Sequence, residues 1–243
     1  MTEVVKSNRN LILIAAGVLA LGVVIGGYLL GDGLRRARMA DRAVTMRGLA
    51  ERNVTADLAT WNISFGVQGT DLPAVQGDVD RHTATVREFF RRAGFPAEVI
   101  TDGGGSINSN YDNDRQATVY NINRRLQFRS NDVMRARAAF ARQFDLIRAG
   151  VPLQEGSNMV YSFTRLNTVK PDMIHESTLD ARAGAERFAA DSGTSVGGIR
   201  SATQGYFSIG ARDGDVSEEG GGGGGDSPFQ KVRVVTTIEF YLN

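Results

Sequence analysis

The first long feature of the chain is an apolar run. Leu11 to Gly31 is 21 residues without a charge, and at about 1.5 Å per residue a helix of that length spans about 30 Å, the thickness of a bilayer core. Tyr28 lies near one end of the run, where an interfacial ring is comfortable. The pattern predicts a transmembrane helix retained as an anchor. A cleaved signal peptide would carry a shorter apolar region, roughly 7–15 residues, followed by a small-x-small cleavage site. Gly31-Asp32-Gly33 is the only such site and a poor one, with charges following at once. The reading divides the chain into a tail (1–10), an anchor (11–31), a charged juxtamembrane linker (32–42) and one folded domain (43–243).

Beyond the linker the periodicity changes. Val44 to Leu49 and Ala59 to Val67 read as strands. In the second, Trp61, Ile63, Phe65 and Val67 alternate with Asn62, Ser64 and Gly66, the period of a half-buried strand. With Asn53 between them, the two predict a hairpin. Helical spacing follows: Thr70 or Asp71 as cap, Pro73 in the first turn, a stripe of Leu72, Val75, Val79, Val86 and Phe89/Phe90, and Gly94 as the stop. Glu98 to Ile107 reads as a strand interrupted by Gly103-Gly104-Gly105, Asp112-Asn113-Asp114 as a turn, and Gln116 to Phe128 as a long strand. Ser130 is the expected cap of a second helix with the stripe Val133, Ala136, Phe140, Phe144 and Ile147, ended by Gly150. A short strand at Asn158–Arg165 precedes a third helix from about Pro171 to Ser192, rich in alanine. Ile199 to Ile209 and Gln230 to Leu242 close the chain as strands around a flexible tract of six glycines, Gly220 to Gly225. The order β-β-α-β-β-α-β-α-β-β does not alternate strictly. It predicts an α+β fold of antiparallel strands with three main helices behind an N-terminal transmembrane helix.

Charge changes the picture at the anchor. Gly22/Gly26 and Gly27/Gly31 form two small-xxx-small pairs, the spacing that lets two membrane helices approach, although glycine is also common in membrane helices generally. Lys6 and Arg9 precede the helix, whereas Arg35, Arg36, Arg38, Arg42 and Arg47 follow it. Counted plainly, that bias places the domain in the cytoplasm, but a large C-terminal domain can translocate despite it. Over the whole chain 28 basic and 27 acidic residues balance to +1, so no field calls for nucleic acid. Cysteine is absent, which excludes a disulfide frame, a thiolate zinc site and a cysteine nucleophile.

Candidate chemistry is sparse. His82 and His175 are the two histidines, without a metal-ligand spacing. Asp112 and Asp114 lack the glycine and distal glutamate of a calcium loop. Asp102-Gly-Gly-Gly-Ser106 has no Lys-Ser/Thr and enters a strand, unlike a phosphate cradle. Glu176 and Asp180 are two acids four apart beside His175, with nothing else converging on them. No catalytic residue, cofactor or metal site is assigned.

From Val44 to Leu242 the chain resembles the SIMPL-domain family, which includes the YggE-like proteins and the periplasmic immunogenic protein of Brucella. Val44 to Ala59 is similar to that family's V-x-G-x-G and P-D-x-A stretch. Gly48, Asp57 and Ala59 match it, whereas Ala50 and Ala56 depart from it. Tyr120 to Phe128 followed by a helix, the small-rich helix Ala181 to Ala190 with Asp191-Ser192-Gly193 and Val196-Gly197-Gly198, and the closing amphipathic strand carry the rest. The resemblance implies an extracytoplasmic domain, self-association into ring- or channel-like homo-oligomers in at least some members, no established catalytic activity and a loose link to stress tolerance; with the anchor, the expected location is the inner membrane with the domain in the periplasm. The expected partners are other copies of the chain and, through the N-terminal helix, the bilayer. The long strands Gln116–Phe128 and Gln230–Leu242 are the expected self-association edges. The alternatives are a hydrolase of unknown substrate and a cytoplasm-facing scaffold.

Overall fold

The computed structural model describes residue 17 and residues 19–33, 42–213 and 224–243. The tail, residues 11–16 and 18 of the predicted anchor, and residues 34–41 of the linker lie outside the described residues, as does the glycine tract from 220 to 223. Helix α1 covers 19–33 with its Leu, Val and Ile side chains exposed. No helix among the described residues is long and apolar enough to cross a membrane.

The fold is α+β with antiparallel sheets. It has two compact units: the described residues up to Gly48 with Thr178–Gln204 and Thr236–Asn243, and Leu49–Ser177 with Gly205–Val235. In the larger unit, β2 (Leu58–Gly69), β3 (Ile100–Asp112), β4 (Ala117–Ser130), β5 (Met159–Ser162) and β8 (Gly224–Gly225) form a five-stranded sheet in the order β3-β4-β2-β5-β8. β2 lies antiparallel to β4 from Ala59↔Ser130 to Gly69↔Tyr120. That register puts Trp61, Ile63 and Phe65 beside Leu126 and Phe128 on one face. Helices α2 (Leu72–Arg92), α3 (Val133–Phe140) and α4 (Phe144–Arg148) supply the core's other side. Trp61 meets Phe89, Phe90 and Phe140 edge-on at 6.2, 5.4 and 5.0 Å, and Phe90 stacks on Phe128 at 4.4 Å. The geometry is that of aromatic pairs favoured beyond simple burial.

A second cluster in this unit gathers Ala50 of β1 (Ala43–Thr55), Phe163, Met173 of α5 (Leu166–Asp191), and Val232 and Val234 of β9 (Phe229–Leu242). β7 (Ser208–Ala211) pairs with β9 from Ser208↔Arg233 to Ala211↔Gln230. In the smaller unit, β6 (Val196–Gln204) pairs antiparallel with β9, from Val196↔Leu242 to Gln204↔Thr236. There Ala181 and Ala185 of α5 pack on Val44, Ile238 and Phe240, so the small residues serve close helix–sheet packing.

Several expected elements are corrected. β1 and β2 are not a hairpin. β1 neighbours β9, while β2 lies between β4 and β5. Their connection is Ala56-Asp57, whose N–H groups donate to Pro228 O and Ser162 O rather than across a hairpin. The second helix is two, α3 and α4. Asp132, not Ser130, caps α3 by accepting Arg135 N–H at 3.1 Å. Between α3 and α4, N–H groups of Arg142, Gln143, Asp145 and Leu146 bond three residues back. This tighter winding shifts the helical phase, so Leu146 is buried while Phe144 and Ile147 are exposed. The strand expected over Ile199–Ile209 breaks into β6 and β7 at Gly205, whose N–H bonds Val235 O at 2.8 Å. The third helix begins at Leu166, with Pro171 inside it. Gly224-Gly225, the end of the glycine tract, pairs with Ser162 and Tyr161 of β5. The strands expected at sheet edges are internal: β4 runs between β3 and β2, and β9 between β1 and β6.

Candidate functional site

The free edge of the five-stranded sheet is β3. Its Ile100 is buried in the aromatic core, but every residue from Thr101 to Tyr111 is exposed, on both faces. β4 bonds β3 on one side, and among the described residues no strand pairs with the other. Such an edge displays a row of N–H and C=O groups without protein partners, which proteins ordinarily protect with charge, proline, bulges or brevity.

β3 starts with one such device. Its register shifts between Asp102↔Leu126 and Gly105↔Arg124, leaving one extra residue on β3. Gly104 there has φ of +84°, a region that favours glycine. A Cβ on Gly105 would lie 2.5 Å from Asn123 O. Asp102 closes the bulge by accepting Gly104 N–H at 3.0 Å and pairing with Arg124. Beyond the bulge the strand is regular to Asp112↔Ala117, and the nine residues Gly103 to Tyr111 carry no charge. Ile107, Ser109 and Tyr111 alternate with Ser106, Asn108 and Asn110. Asp112 ends the strand in a turn, accepting the N–H groups of Asp114 and Arg115 at 2.9 and 3.1 Å.

The other strands at sheet edges are better protected. β1 carries Arg47, Glu51 and Arg52, β6 carries Arg200 and two register shifts, and β7 and β8 are short, with four and two residues. In the larger unit Arg52 pairs with Asp172 at 3.3 Å and with Glu176, and Glu51 with Lys231 at 3.3 Å. Beside the β3 bulge lies a polar groove of about 400 Å³ lined by Ser64, Gly103–Ser106, Asn123 to Arg125 and Gln154. Its amides already bond one another, Gln154 Nε2 donating to Asn123 Oδ1 at 2.9 Å.

The residues weighed for chemistry do not converge. His82 packs edge-on against Phe65 at 6.1 Å, and burial, then Arg81, lowers its pKa. His175 and Asp180 are exposed, and Glu176 is engaged by Arg52. Asp112 and Asp114 form a turn, and Asp102–Ser106 the bulge. Among the described residues no three of His, Asp and Glu gather as a metal would require. Gly22, Gly26, Gly27 and Gly31 lie in α1, and a Cβ on any of them would meet nothing within 4 Å.

Two arrangements escaped the sequence reading. One is the Arg52–Asp172–Glu176 cluster, joined across more than a hundred residues of chain. The other is the exposure of Ile107 and Tyr111, at 59% and 61%. The available signal for the second was the long neutral run between Asp102 and Asp112.

The family model SIMPL, described as a protein of unknown function (DUF541), matches residues 44–240. No curated protein matches the chain.

Proposed function

We propose, from the premise that this chain belongs to the SIMPL family, that it is a membrane-anchored structural and binding protein of the cell envelope that works by self-assembly. The family is one of unknown function, so membership supplies no reaction. The observation that carries the reading is β3, a long edge strand uncharged from Gly103 to Tyr111 and exposed on both faces. An edge of that kind pairs with another strand or aggregates. The anchor reading rests on the uncharged run Leu11–Gly31. One helix per copy holds all copies in a plane and raises their effective concentration, and the pairs Gly22/Gly26 and Gly27/Gly31 supply a small face for helix–helix contact. Contacts between identical subunits close into symmetric assemblies, two-fold where the contact is isologous and rings where it is heterologous. The domain faces the periplasm, and the arginines after the anchor oppose this without preventing it.

The test is the mass of the full chain in detergent by light scattering, with negative-stain imaging of the particles. The expected result is a closed assembly of several 26.2 kDa copies. A monomer at every concentration overturns the reading. A C-terminal alkaline phosphatase fusion is expected to be active and a fluorescent fusion dark, and the reverse overturns the periplasmic placement.

A further inference from the structure

We infer that β3 pairs antiparallel with β3 of a second copy about a two-fold axis midway between the two Ser109 residues, so that Ile107 of each copy lies opposite Tyr111 of the other. This rests on the self-assembly reading and names the contact, its symmetry and its register.

The argument starts from what an edge needs. Residues directly opposite one another in an antiparallel pair share a face and lie close enough to interact. A two-fold axis normal to the sheet therefore keeps the Ile107–Ser109–Tyr111 face of both copies on one side. Ile107 and Tyr111 are the large apolar residues exposed on this strand. Their spacing of four residues is centred on Ser109. Only the register centred there places both apolar residues of each copy opposite a partner. Centring on Ile107 leaves Tyr111 opposite glycine, and centring on Tyr111 sends Ile107 beyond the end of the strand at Asp112. In the chosen register Asn108 faces Asn110, which allows an amide pair on the opposite face.

Charge agrees with this choice. Like charges directly opposite one another destabilise a sheet pair. Asp112 falls opposite Ser106, and Asp102 falls opposite position 116, outside β3, so no acid meets an acid. Nothing in the chain's own fold occupies this edge among the described residues. The contact is isologous, the same surface on both copies, and it joins two five-stranded sheets into one continuous sheet.

The chain has no cysteine, so one introduced thiol reports the axis. The full chain carrying S109C, in detergent and under mild oxidation, is expected to form a disulfide-linked dimer. T118C, on the internal strand β4, is not. In the S109C background, I107K and Y111E are each expected to lower the cross-linked fraction about tenfold, because a dimer loses two cross-strand pairs. I107K/Y111E restores it, since each lysine then faces a glutamate. A yield indifferent to the single substitutions, or one the double substitution does not restore, overturns the register. If the unmodified chain assembles by light scattering yet S109C gives no dimer, the β3 contact is wrong and the assembly reading survives. A monomeric unmodified chain sinks both.

Discussion

Asp57 holds Thr164 twice through one oxygen: Oδ1 accepts the Thr164 backbone N–H at 2.8 Å and its hydroxyl at 3.0 Å. The other oxygen accepts Arg165 Nε at 2.8 Å. Asp57 is half of the two-residue connection that sends β1 to one sheet and β2 to the other. The carboxylate therefore pins that divergence to the chain leaving β5. Asp57→Ala is expected to cost about 1–3 kcal/mol, the range for removing a half-buried, charge-assisted acceptor from its hydrogen bonds. Asp57→Asn keeps an acceptor and is expected to cost less. Urea unfolding followed by the fluorescence of Trp61, the chain's one tryptophan, measures both. Equal stability of Asp57→Ala and the unmodified protein would remove the pin.

The same carboxylate sets a pH dependence. Burial pushes the Asp57 carboxyl up, but the N–H and hydroxyl of Thr164 and the Arg165 guanidinium outweigh it and hold it below its ordinary 3.8. Glu88, hydrogen-bonded by Arg91 and then Arg92 on the surface of α2, is lowered from 4.5 to about 2. A carboxyl whose folded pKa is depressed stabilises the fold above its unfolded pKa, and that stability is lost as pH falls through the folded value. The stability gap between the unmodified protein and Asp57→Ala is therefore expected to be constant near neutrality and to shrink below about pH 4. Carbon-detected NMR titration should find Glu88 still ionised at pH 3. A Glu88 midpoint near 4.5 would mean that the Arg91 and Arg92 contacts do not persist in solution.

Alternation and the stop of α2 were readable because they are local. Trp61, Ile63 and Phe65 are fully buried as their alternation requires, and Gly94, with φ of +82°, ends α2. Strand partners are not local. Nothing in Asn53 or Asp57 says that β1 leaves its neighbour, because the N–H groups of the connection bond to Pro228 and Ser162, far along the chain. The free edge was misassigned for the same reason. Length does not mark an edge, since the internal β4 and β9 have 14 residues and the edge strand β3 has 13, and the glycine- and asparagine-rich β3 resembles a loop in composition.

Helical phase also slipped, and that slip is testable. The three-residue bonds between α3 and α4 rotate Phe144 out to 61% exposure and Leu146 in to 1%. Leu146→Ala is expected to cost about 2–5 kcal/mol as a buried large-to-small change. Phe144→Ala is expected to stay within about 0.5 kcal/mol, as exposed sites usually do. Denaturant midpoints at constant slope decide it. The reverse ranking would restore one continuous helix through Phe140, Phe144 and Ile147.

The glycines of the β3 bulge separate backbone conformation from steric room. Gly104 has positive φ and open space around it, so Gly104→Ala pays only the left-handed conformation, about 1–2 kcal/mol. Gly105 has no positive φ, but its Cβ would lie 2.5 Å from Asn123 O in the neighbouring strand. No rotamer relieves a clash between a Cβ and backbone, so Gly105→Ala must move β3 away from β4 or shift the register. The expected result is faster amide exchange from Ser106 to Tyr111 in Gly105→Ala than in Gly104→Ala, with the Trp61 core unchanged in both. Because the edge needs a straight, well-paired β3, Gly105→Ala is also expected to lower the S109C cross-linked fraction. Equal exchange in the two variants would mean that the bulge tolerates a side chain and that β3 is not held by the close approach at Asn123.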